Sequence, residues 1–203
     1  IETGRLLLSA KDELFTSPNG HGGTLLAMHE QGLLEDMARR DVDLVFYFQV
    51  DNPFIDVLDP IFLGHHLREQ AEISLKVIRK EYPKEKLGLA VLYEGKPAMI
   101  EYSDLPSELA EQTNEDGSLK YWAGSIAIHV FSRPFLERIT SGEMGLPFHT
   151  ARKKVPYVDE SGALVQPASP NAFKFETFIF DSLPMAERVA ILETSREEEY
   201  EPV

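Results

Sequence analysis

The chain has 203 residues, enough for one sizeable hydrophobic core, and its 43% hydrophobic and 27% charged residues are typical of a globular protein. It contains no cysteine, which excludes disulfides, thiolate metal sites and cysteine nucleophiles. Its formal net charge of −14 argues against a nucleic-acid partner, because an acidic surface repels phosphate backbones.

The first part of the chain predicts a strand, a helix and a buried strand. Residues 1–14 indicate a short strand and a connection, and residues 23–40 carry apolar side chains at helical spacing. Residues 43–50, "DLVFYFQV", are almost all apolar, as is typical of a strand buried on both faces. Asp59 and Pro60 signal the start of a helix that extends to about residue 70.

The rest of the chain alternates strands with short helices. "EGK" at 94–96 predicts a hairpin turn, Ser132 is placed to cap a helix, and "DESG" at 159–162 predicts a further turn. The remaining predicted elements are strands at 72–80, 87–95, 97–104 and 121–131, and helices at 106–112 and 133–140. This order predicts an α/β domain with a mainly parallel sheet, in which ligands bind beyond the carboxyl ends of the strands.

Asp51 follows the buried strand predicted at 43–50, in the sequence Val50-Asp51-Asn52. A carboxylate there would face the ligand crevice and could hold Mg²⁺ against phosphate oxygens. Asp51 is also well placed to cap the following turn, since aspartate often ends a strand in this way. Both interpretations stay open.

A glycine-rich loop precedes the first predicted helix, with Pro18, Gly20, Gly22 and Gly23 close together. Glycines allow positive φ and a close backbone approach, so such a loop can lie against a flat ring or a phosphate. The loop is not a P-loop, because no Lys-Ser or Lys-Thr follows, and the GxGxxG dinucleotide spacing is absent. A purely structural loop is the alternative.

Glu101 and Tyr102 lie together at a predicted strand end. An acidic and an aromatic side chain there could bind sugar hydroxyls, and the alternative is a solvated Glu beside a half-buried Tyr. The six histidines show no metal-ligand spacing, and no GxSxG nucleophile motif is present. Only His21 is singled out among the histidines, by its position in the glycine-rich loop.

Six stretches in order resemble one known family over about residues 17–203. They are "SPNGHGG", "QVDNP", "MIEYSD", "AGSIAIHVFSRPFL", "ARKKVPYVDESGALVQPASPNAFKFETFIFD" and "REEEYEPV". The chain resembles the eukaryotic-type UDP-N-acetylglucosamine pyrophosphorylases, within the wider UDP-sugar pyrophosphorylase family of uridylyltransferases. The resemblance implies a Rossmann-like, GT-A-like nucleotidyltransferase fold. It also implies a reaction of UTP with a sugar 1-phosphate that gives a UDP-sugar and pyrophosphate.

The resemblance also implies roles for individual residues. The glycine-rich loop would lie against the uracil, Asp51 would be the catalytic residue that approaches the phosphates and Mg²⁺, and the Glu-Tyr pair would face the sugar. The site residues implied are Pro18, Gly20 and Gly22 for the nucleotide, Glu101, Tyr102, Phe178 and Phe180 for the sugar, and Asp51 for phosphates and metal.

Three positions depart from the acetylglucosamine enzymes. His21 and Ser125 stand where those enzymes carry asparagines that border the sugar, and Trp122 replaces another asparagine. Serine is shorter than asparagine and offers a hydroxyl in place of an amide, so Ser125 cannot make the same paired contact. N-acetylglucosamine, glucose and galactose 1-phosphate therefore all stay open as substrates, with His21 and Ser125 as substrate-contacting candidates.

The family's Gly-rich triphosphate loop is expected before Ile1, and its phosphate-binding lysine just after Val203. Residues 1–203 are thus expected to be the central part of a single uridylyltransferase domain. This part alone is expected to be inactive, with no protein cation for the triphosphate.

Two rival interpretations remain. One is a non-catalytic nucleotide-sugar-binding protein, and the other a GT-A-like glycosyltransferase with Asp51 as the metal carboxylate. We expect a cytoplasmic location and no membrane partner, because no apolar run reaches the roughly 18 residues of a spanning helix.

Overall fold

The computed structural model describes residues 4–142 and 145–203. The start of the strand predicted at 1–14 therefore lies outside the described residues. The strands in chain order are β1 (Leu8–Ala10), β2 (Glu13–Leu14), β3 (Leu44–Tyr47), β4 (Ile73–Arg79), β5 (Gly88–Tyr93), β6 (Lys96–Ile100), β7 (Ala123–Ser132), β8 (His149–Lys153), β9 (Tyr157–Val158), β10 (Leu164–Val165), β11 (Ala172–Glu176) and β12 (Val189–Glu193). The helices are α1 (Gly23–Glu30), α2 (Leu33–Arg39), α3 (Pro60–Arg68), α4 (Ser107–Ala110), α5 (Arg133–Thr140), a 3₁₀ helix (Ile179–Met185) and α6 (Arg196–Glu199).

The main sheet is mixed, and the prediction of a mainly parallel sheet is wrong. Its strand order is β12-β4-β7-β5-β6, with β3 also paired to β7. Within the described residues only β12 and β4 run parallel, and the other pairs of this sheet are antiparallel. A continuous apolar run predicts a strand that is buried on both faces, but it does not indicate whether neighbouring strands run parallel or antiparallel. The strand directions were therefore wrongly predicted.

β7 is the central strand of the sheet, and one of its edges is shared by two partners. β3 pairs with residues 129–132 of β7, whereas β5 pairs with Gly124 and Ser125. Residues 126–128 lie between these two partners. Ala127 has φ of +57° at this point, and the pairing with β4 shifts register opposite it, so β7 carries a bulge in the gap.

Two hydrophobic clusters cover the two faces of the sheet. Ile73, Leu75 and Val77 of β4 point into the first cluster, and Ile78 of the same strand points into the second. The prediction of a sheet covered on both sides is confirmed for β4, which is buried along nearly its whole length. It is wrong for β3, whose side chains are all half-buried.

The helix predicted over 23–40 is two helices. α1 ends at Glu30 and α2 begins at Leu33, with Gly32 between them at φ of +70°. This left-handed conformation costs glycine little, so Gly32 turns the chain where a single helix was expected. Leu25 and Leu34, one from each helix, are both buried in the first cluster.

Local signals predicted α3, α4, α5 and the hairpin, but not the 3₁₀ helix or α6. The Asp59 side chain caps α3 by accepting the Ile61 N–H at 2.8 Å, with Pro60 as the first helical residue. The β5–β6 hairpin turns at Glu94 and Gly95, both with positive φ. Ser132 precedes α5 as predicted, but its hydroxyl donates to the Ala71 carbonyl oxygen and makes no capping bond.

Small ribbons complete the fold. β8 pairs with β11, β9 with β10 and β1 with β2, each antiparallel. The turn predicted at 159–162 joins β9 to β10, and the Asp159 carboxylate accepts the N–H groups of Ser161 and Ala163. No helix among residues 4–142 and 145–203 is long and apolar enough to cross a membrane.

Candidate functional site

A pocket of about 320 Å³ opens at the gap between β3 and β5. Ser125, Ile126 and Ala127 line it as consecutive residues, because the bulge at Ala127 breaks the alternation of the strand. Other predicted residues reach the same pocket from separate segments of the chain. They are His21, Asp51, Glu101, Tyr102, Phe178 and Phe180.

The glycine-rich loop lies beside the pocket and packs against the chain itself. The Gly22 N–H donates to the Thr177 carbonyl oxygen at 2.8 Å, and the Thr177 N–H donates to that of Asn19 at 2.6 Å. A Cβ on Gly20 would lie 2.3 Å from the Thr177 oxygen, and one on Gly22 would lie 2.7 Å from the Phe178 nitrogen. The glycines are therefore required by backbone packing. The uracil contact of Pro18, Gly20 and Gly22 stays a prediction.

His21 connects this loop to the aromatic wall of the pocket. Its Nδ1 accepts the Ile179 N–H at 3.1 Å, and its ring stacks on Phe178 with centroids 5.0 Å apart. Phe180 lies 5.1 Å from Phe178 and completes the wall. Burial lowers the pKa of His21. The ring is thus held neutral, with its proton on Nε2.

The floor of the pocket is polar and uncharged. The Ser125 hydroxyl oxygen accepts the Ala127 N–H at 3.3 Å, which leaves the hydroxyl proton available. His129 is fully buried, and burial lowers its pKa to about 3. Within the described part of the chain its Nδ1 has no hydrogen-bond partner, and its ring lies 5.9 Å from Tyr47.

Glu101 and Tyr102 line the pocket from the segment after β6. Burial raises the pKa of the Glu101 carboxyl, the charges of Asp104 and Asp181 add to this, and His149 opposes it. His149 and Asp181 form a pair, in which His149 Nε2 lies 2.8 Å from Asp181 Oδ2. Sequence reasoning missed this pair, since the two residues are 32 positions apart.

Asp51 lies on a loop four residues past the end of β3, so its placement directly at the end of the most buried strand is wrong. Asn52 is buried, and both ends of its amide are used: Nδ2 donates to the Glu199 carbonyl oxygen at 2.8 Å, and Oδ1 accepts the Glu201 N–H at 3.1 Å. The loop thus forms one wall of the pocket together with Tyr200 and Pro202.

A metal at Asp51 would need ligands other than the His, Cys, Asp and Glu side chains of the described residues. No group of three His, Cys, Asp or Glu side chains that could hold an ion occurs in residues 4–142 and 145–203. The Asn52 amide is already committed to the backbone. One carboxylate still fits Mg²⁺, which is commonly bound by one or two carboxylates, substrate phosphates and water.

Lys86 is a pocket residue that the sequence analysis missed. Among the described residues that line the pocket, it is the one lysine or arginine. The expectation that this part of the chain alone supplies no cation for the triphosphate stays a prediction. Its two neighbours are fixed: Glu85 binds Arg196 at 2.6 Å, and Leu87 is buried in the second cluster. Lys86 itself is exposed and lines the pocket.

Trp122, the third position that departs from the acetylglucosamine enzymes, lies away from the pocket. Its ring packs under the Arg79 guanidinium at 4.4 Å and against the first hydrophobic cluster. Tryptophan at this position therefore supports the sheet and does not line the pocket. Among the three departures from the acetylglucosamine enzymes, only His21 and Ser125 reach the pocket.

Comparisons with known proteins agree with the motif resemblance. Residues 6–203 match the family model described as UTP--glucose-1-phosphate uridylyltransferase. The chain is 42% identical over 201 residues to the human UDP-N-acetylhexosamine pyrophosphorylase-like protein 1, covering 98% of this chain and 40% of that protein. It is 36% identical over 207 residues to the Saccharomyces cerevisiae UDP-N-acetylglucosamine pyrophosphorylase, covering 99% of this chain and 43% of that protein.

A solved structure shares the fold over nearly the whole chain. It is a protein from Entamoeba histolytica assigned to the UDP-N-acetylglucosamine pyrophosphorylases, with a TM-score of 0.89 and 34% identity. The match covers 99% of this chain and 50% of that one. The chain spans about 40% of the length of the curated relatives it matches.

Proposed function

Because the chain belongs to the UTP--glucose-1-phosphate uridylyltransferase family, we propose that the full-length protein transfers a uridylyl group from UTP to a sugar 1-phosphate. A phosphate oxygen of the sugar 1-phosphate attacks the α-phosphorus of UTP. The bond from that phosphorus to the β-phosphate bridging oxygen breaks, and pyrophosphate leaves with its electron pair. Such a transfer needs positioning and charge neutralisation more than a protein nucleophile.

The observation that supports this proposal most strongly is the convergence of separate motifs on one pocket. Residues from the glycine-rich loop, the Asp51 loop, the end of β6, the bulge of β7 and the segment before the 3₁₀ helix all line it. Each motif alone had a structural alternative. Their assembly into a single cavity is what a substrate site requires.

The sugar would occupy the uncharged end of the pocket. Ser125 offers a hydroxyl proton and His21 an N–H at Nε2, and the rings of Phe178 and Phe180 give an apolar surface. Glu101 supplies carboxyl oxygens to the same pocket. Neutral donors beside an aromatic surface suit sugar hydroxyls and the apolar face of a sugar ring.

The phosphates would occupy the end near Asp51 and Lys86. Lys86 would balance negative charge as a point cation, and Asp51 would hold Mg²⁺ together with phosphate oxygens. Mg²⁺ when bound would neutralise charge on the transferring group. UTP, a sugar 1-phosphate and Mg²⁺ are thus the proposed partners, and a cytoplasmic location stays a prediction.

The test is pyrophosphate release by the full-length protein with UTP, Mg²⁺ and a sugar 1-phosphate. We expect Asp51→Asn to lower kcat/KM by about a hundredfold or more, because the variant loses the proposed metal carboxylate. Asp56→Asn is the matched control, since Asp56 lies on the same loop, is exposed and does not line the pocket. Near-wild-type turnover by Asp51→Asn would refute the metal role.

The same assay separates the rival functions. A protein that binds a UDP-sugar, but neither releases pyrophosphate in the forward reaction nor consumes it in the reverse reaction, would be a nucleotide-sugar-binding protein. Transfer of the sugar from a UDP-sugar to an acceptor would identify a glycosyltransferase. Either result would replace the uridylyltransferase proposal.

A further inference from the structure

Lys76 lies in the middle of β4, and its side chain is completely buried. Its ammonium contacts two carboxylates. Nζ lies 2.7 Å from Asp59 Oδ2, and 2.5 and 2.6 Å from the two carboxylate oxygens of Glu199. The Phe62 ring covers the ammonium from a centroid distance of 5.2 Å. A lysine in a central strand is thus fully desolvated and fully paired.

The two carboxylates belong to segments far apart in the chain. Asp59 caps α3 through the Ile61 N–H, and Glu199 ends α6 and also accepts the Thr194 hydroxyl at 2.8 Å. Lys76 and Glu199 are 123 positions apart. Charge-assisted bonds in a buried setting fix geometry strongly, because no water can replace a lost partner.

Both segments continue directly into one wall of the pocket. Asn52 bridges the Glu199 carbonyl oxygen and the Glu201 N–H, and the Val203 N–H donates to the Asp51 carbonyl oxygen at 2.9 Å. Residues 51–59 are therefore hydrogen-bonded to residues 199–203 beside the pocket. Away from the pocket, the two segments are both bound to Lys76, through Asp59 and Glu199. We call these two segments the anchored wall.

We propose that Lys76 is a positioning residue, whose buried ammonium fixes the anchored wall and thereby holds Asp51, Tyr200 and Pro202 at the pocket. Lys76 does not line the pocket. It acts through Asp59 and Glu199. The catalytic consequence rests on the proposed function, whereas the anchoring itself does not.

The test uses Glu199→Ala in the full-length protein. Lys76→Met would leave two buried carboxylates without a cation, whereas Glu199→Ala leaves Lys76 paired with Asp59 and removes the Glu199 contacts with Lys76 and with the Thr194 hydroxyl. Glu198→Ala is the matched control, with the same charge change on the same helix at an exposed side chain. Glu199→Gln, which keeps an oxygen for Lys76, serves as the conservative rescue.

Hydrogen–deuterium exchange reports the anchoring without any ligand. We expect Glu199→Ala to speed exchange at least about tenfold in peptides covering 49–53 and 199–203, while peptides of β7 stay protected. Glu198→Ala should match the wild type, and Glu199→Gln should retain most of the protection. Unchanged exchange in Glu199→Ala would overturn the proposal, whatever the protein catalyses.

Steady-state kinetics then test whether the anchored wall positions the pocket residues for catalysis. A misplaced wall should lower kcat/KM for uridylyl transfer about tenfold to a hundredfold in Glu199→Ala, at a temperature where the variant is folded. A fall in melting temperature with unchanged kcat/KM would mean a merely structural role and would also overturn the proposal. If the wild type shows no uridylyl transfer, the proposed function fails, and the exchange experiment still decides the anchoring.

Discussion

Individual side chains give the pocket both neutral and charged groups. Burial lowers the pKa values of His21 and His129 and raises the pKa of Glu101. Asp51 and Lys86 line the same pocket and bring opposite charges to it. A substrate that joins an uncharged sugar to a charged phosphate suits this mixed lining.

Lys86 tests the phosphate end of the pocket. We expect Lys86→Met to weaken binding of the UDP-sugar about tenfold, or about 1.4 kcal/mol, because one charge-assisted contact to phosphate is lost. Lys84→Met is the control, since Lys84 is exposed two residues away and does not line the pocket. Isothermal titration calorimetry would measure both, and a Lys86→Met affinity within twofold of wild type would contradict this role.

His21 and Ser125 test the sugar end. They stand where the resemblance places asparagines, and a site that loses a paired contact loses much of its discrimination. We therefore expect glucose or galactose 1-phosphate to be used at least as well as N-acetylglucosamine 1-phosphate. Ser125→Asn combined with His21→Asn should shift the ratio of kcat/KM values toward the acetylated sugar.

The measurement is competition between the three sugar phosphates at equal concentration. A wild-type preference for the acetylated sugar of about a hundredfold, or about 2.7 kcal/mol, would mean that these two residues do not govern the choice.

At the scale of elements, the pocket depends on two segments that touch through their backbones. The glycine-rich loop and residues 176–178 exchange N–H and carbonyl contacts, and His21 reaches across to the first residue of the 3₁₀ helix. Backbone contact at this distance leaves no room for a Cβ. The segment that carries the aromatic wall can therefore approach the loop this closely only because Gly20 and Gly22 have no Cβ.

Gly22→Ala tests this packing. Gly22 has φ of −63°, so alanine meets no backbone strain, but its Cβ would lie 2.7 Å from the Phe178 nitrogen and the Thr177 carbonyl carbon. We expect a loss of about 1–3 kcal/mol in the free energy of unfolding, since a rigid backbone must shift. Urea denaturation measures the loss.

Gly64→Ala provides the control for this variant. Gly64 lies in α3, and a Cβ there meets nothing within 4 Å. Alanine favours a helix by up to about 1 kcal/mol relative to glycine, so this variant should be as stable as wild type or more so. Equal stability of Gly22→Ala and wild type would show that the loop can relax.

For the molecule as a whole, two buried histidines couple stability to pH. Burial lowers the pKa of His66 to about 4 and of His129 to about 3. The Ser132 hydroxyl donates to the Ala71 carbonyl oxygen, so it must accept from His66 Nε2, and His66 Nδ1 then accepts from Ser74. Both nitrogens of His66 are thus satisfied in the neutral ring.

Stability should therefore fall as pH drops below 6.5. An unfolded histidine takes up a proton near pH 6.5, whereas these two resist protonation in the folded state until about pH 4 and 3. Each contributes its full stabilisation above pH 6.5 and loses about 1.4 kcal/mol per pH unit below it. Urea titrations from pH 7.5 to 4.5 should show this slope, and His129→Gln should reduce it by about half. An identical slope in the variant would contradict the assignment.

The elements that have local sequence signals could be predicted from the sequence, whereas the geometry of the site could be predicted only in part. The cap at Asp59, the hairpin at Glu94 and Gly95, and the motifs holding Asp51 and Glu101 were all visible in the sequence. Lys86 was not, since its orientation depends on how its two neighbours are held by α6 and the core.

The sequence by itself determined the cap of α3, the β5–β6 hairpin, the buried strand β4 and the family to which the motifs point. The first three depend on residues a few positions apart in the chain. Only the tertiary structure decided the strand directions, the split edge of β7, the partner of the glycine-rich loop and the burial of Lys76 between Asp59 and Glu199. Each of these features joins segments that are far apart in the chain. From the sequence alone, Lys76 cannot be distinguished from a solvent-exposed lysine of a strand. Its ammonium is paired only because α3 and α6 both deliver a carboxylate to the same buried point.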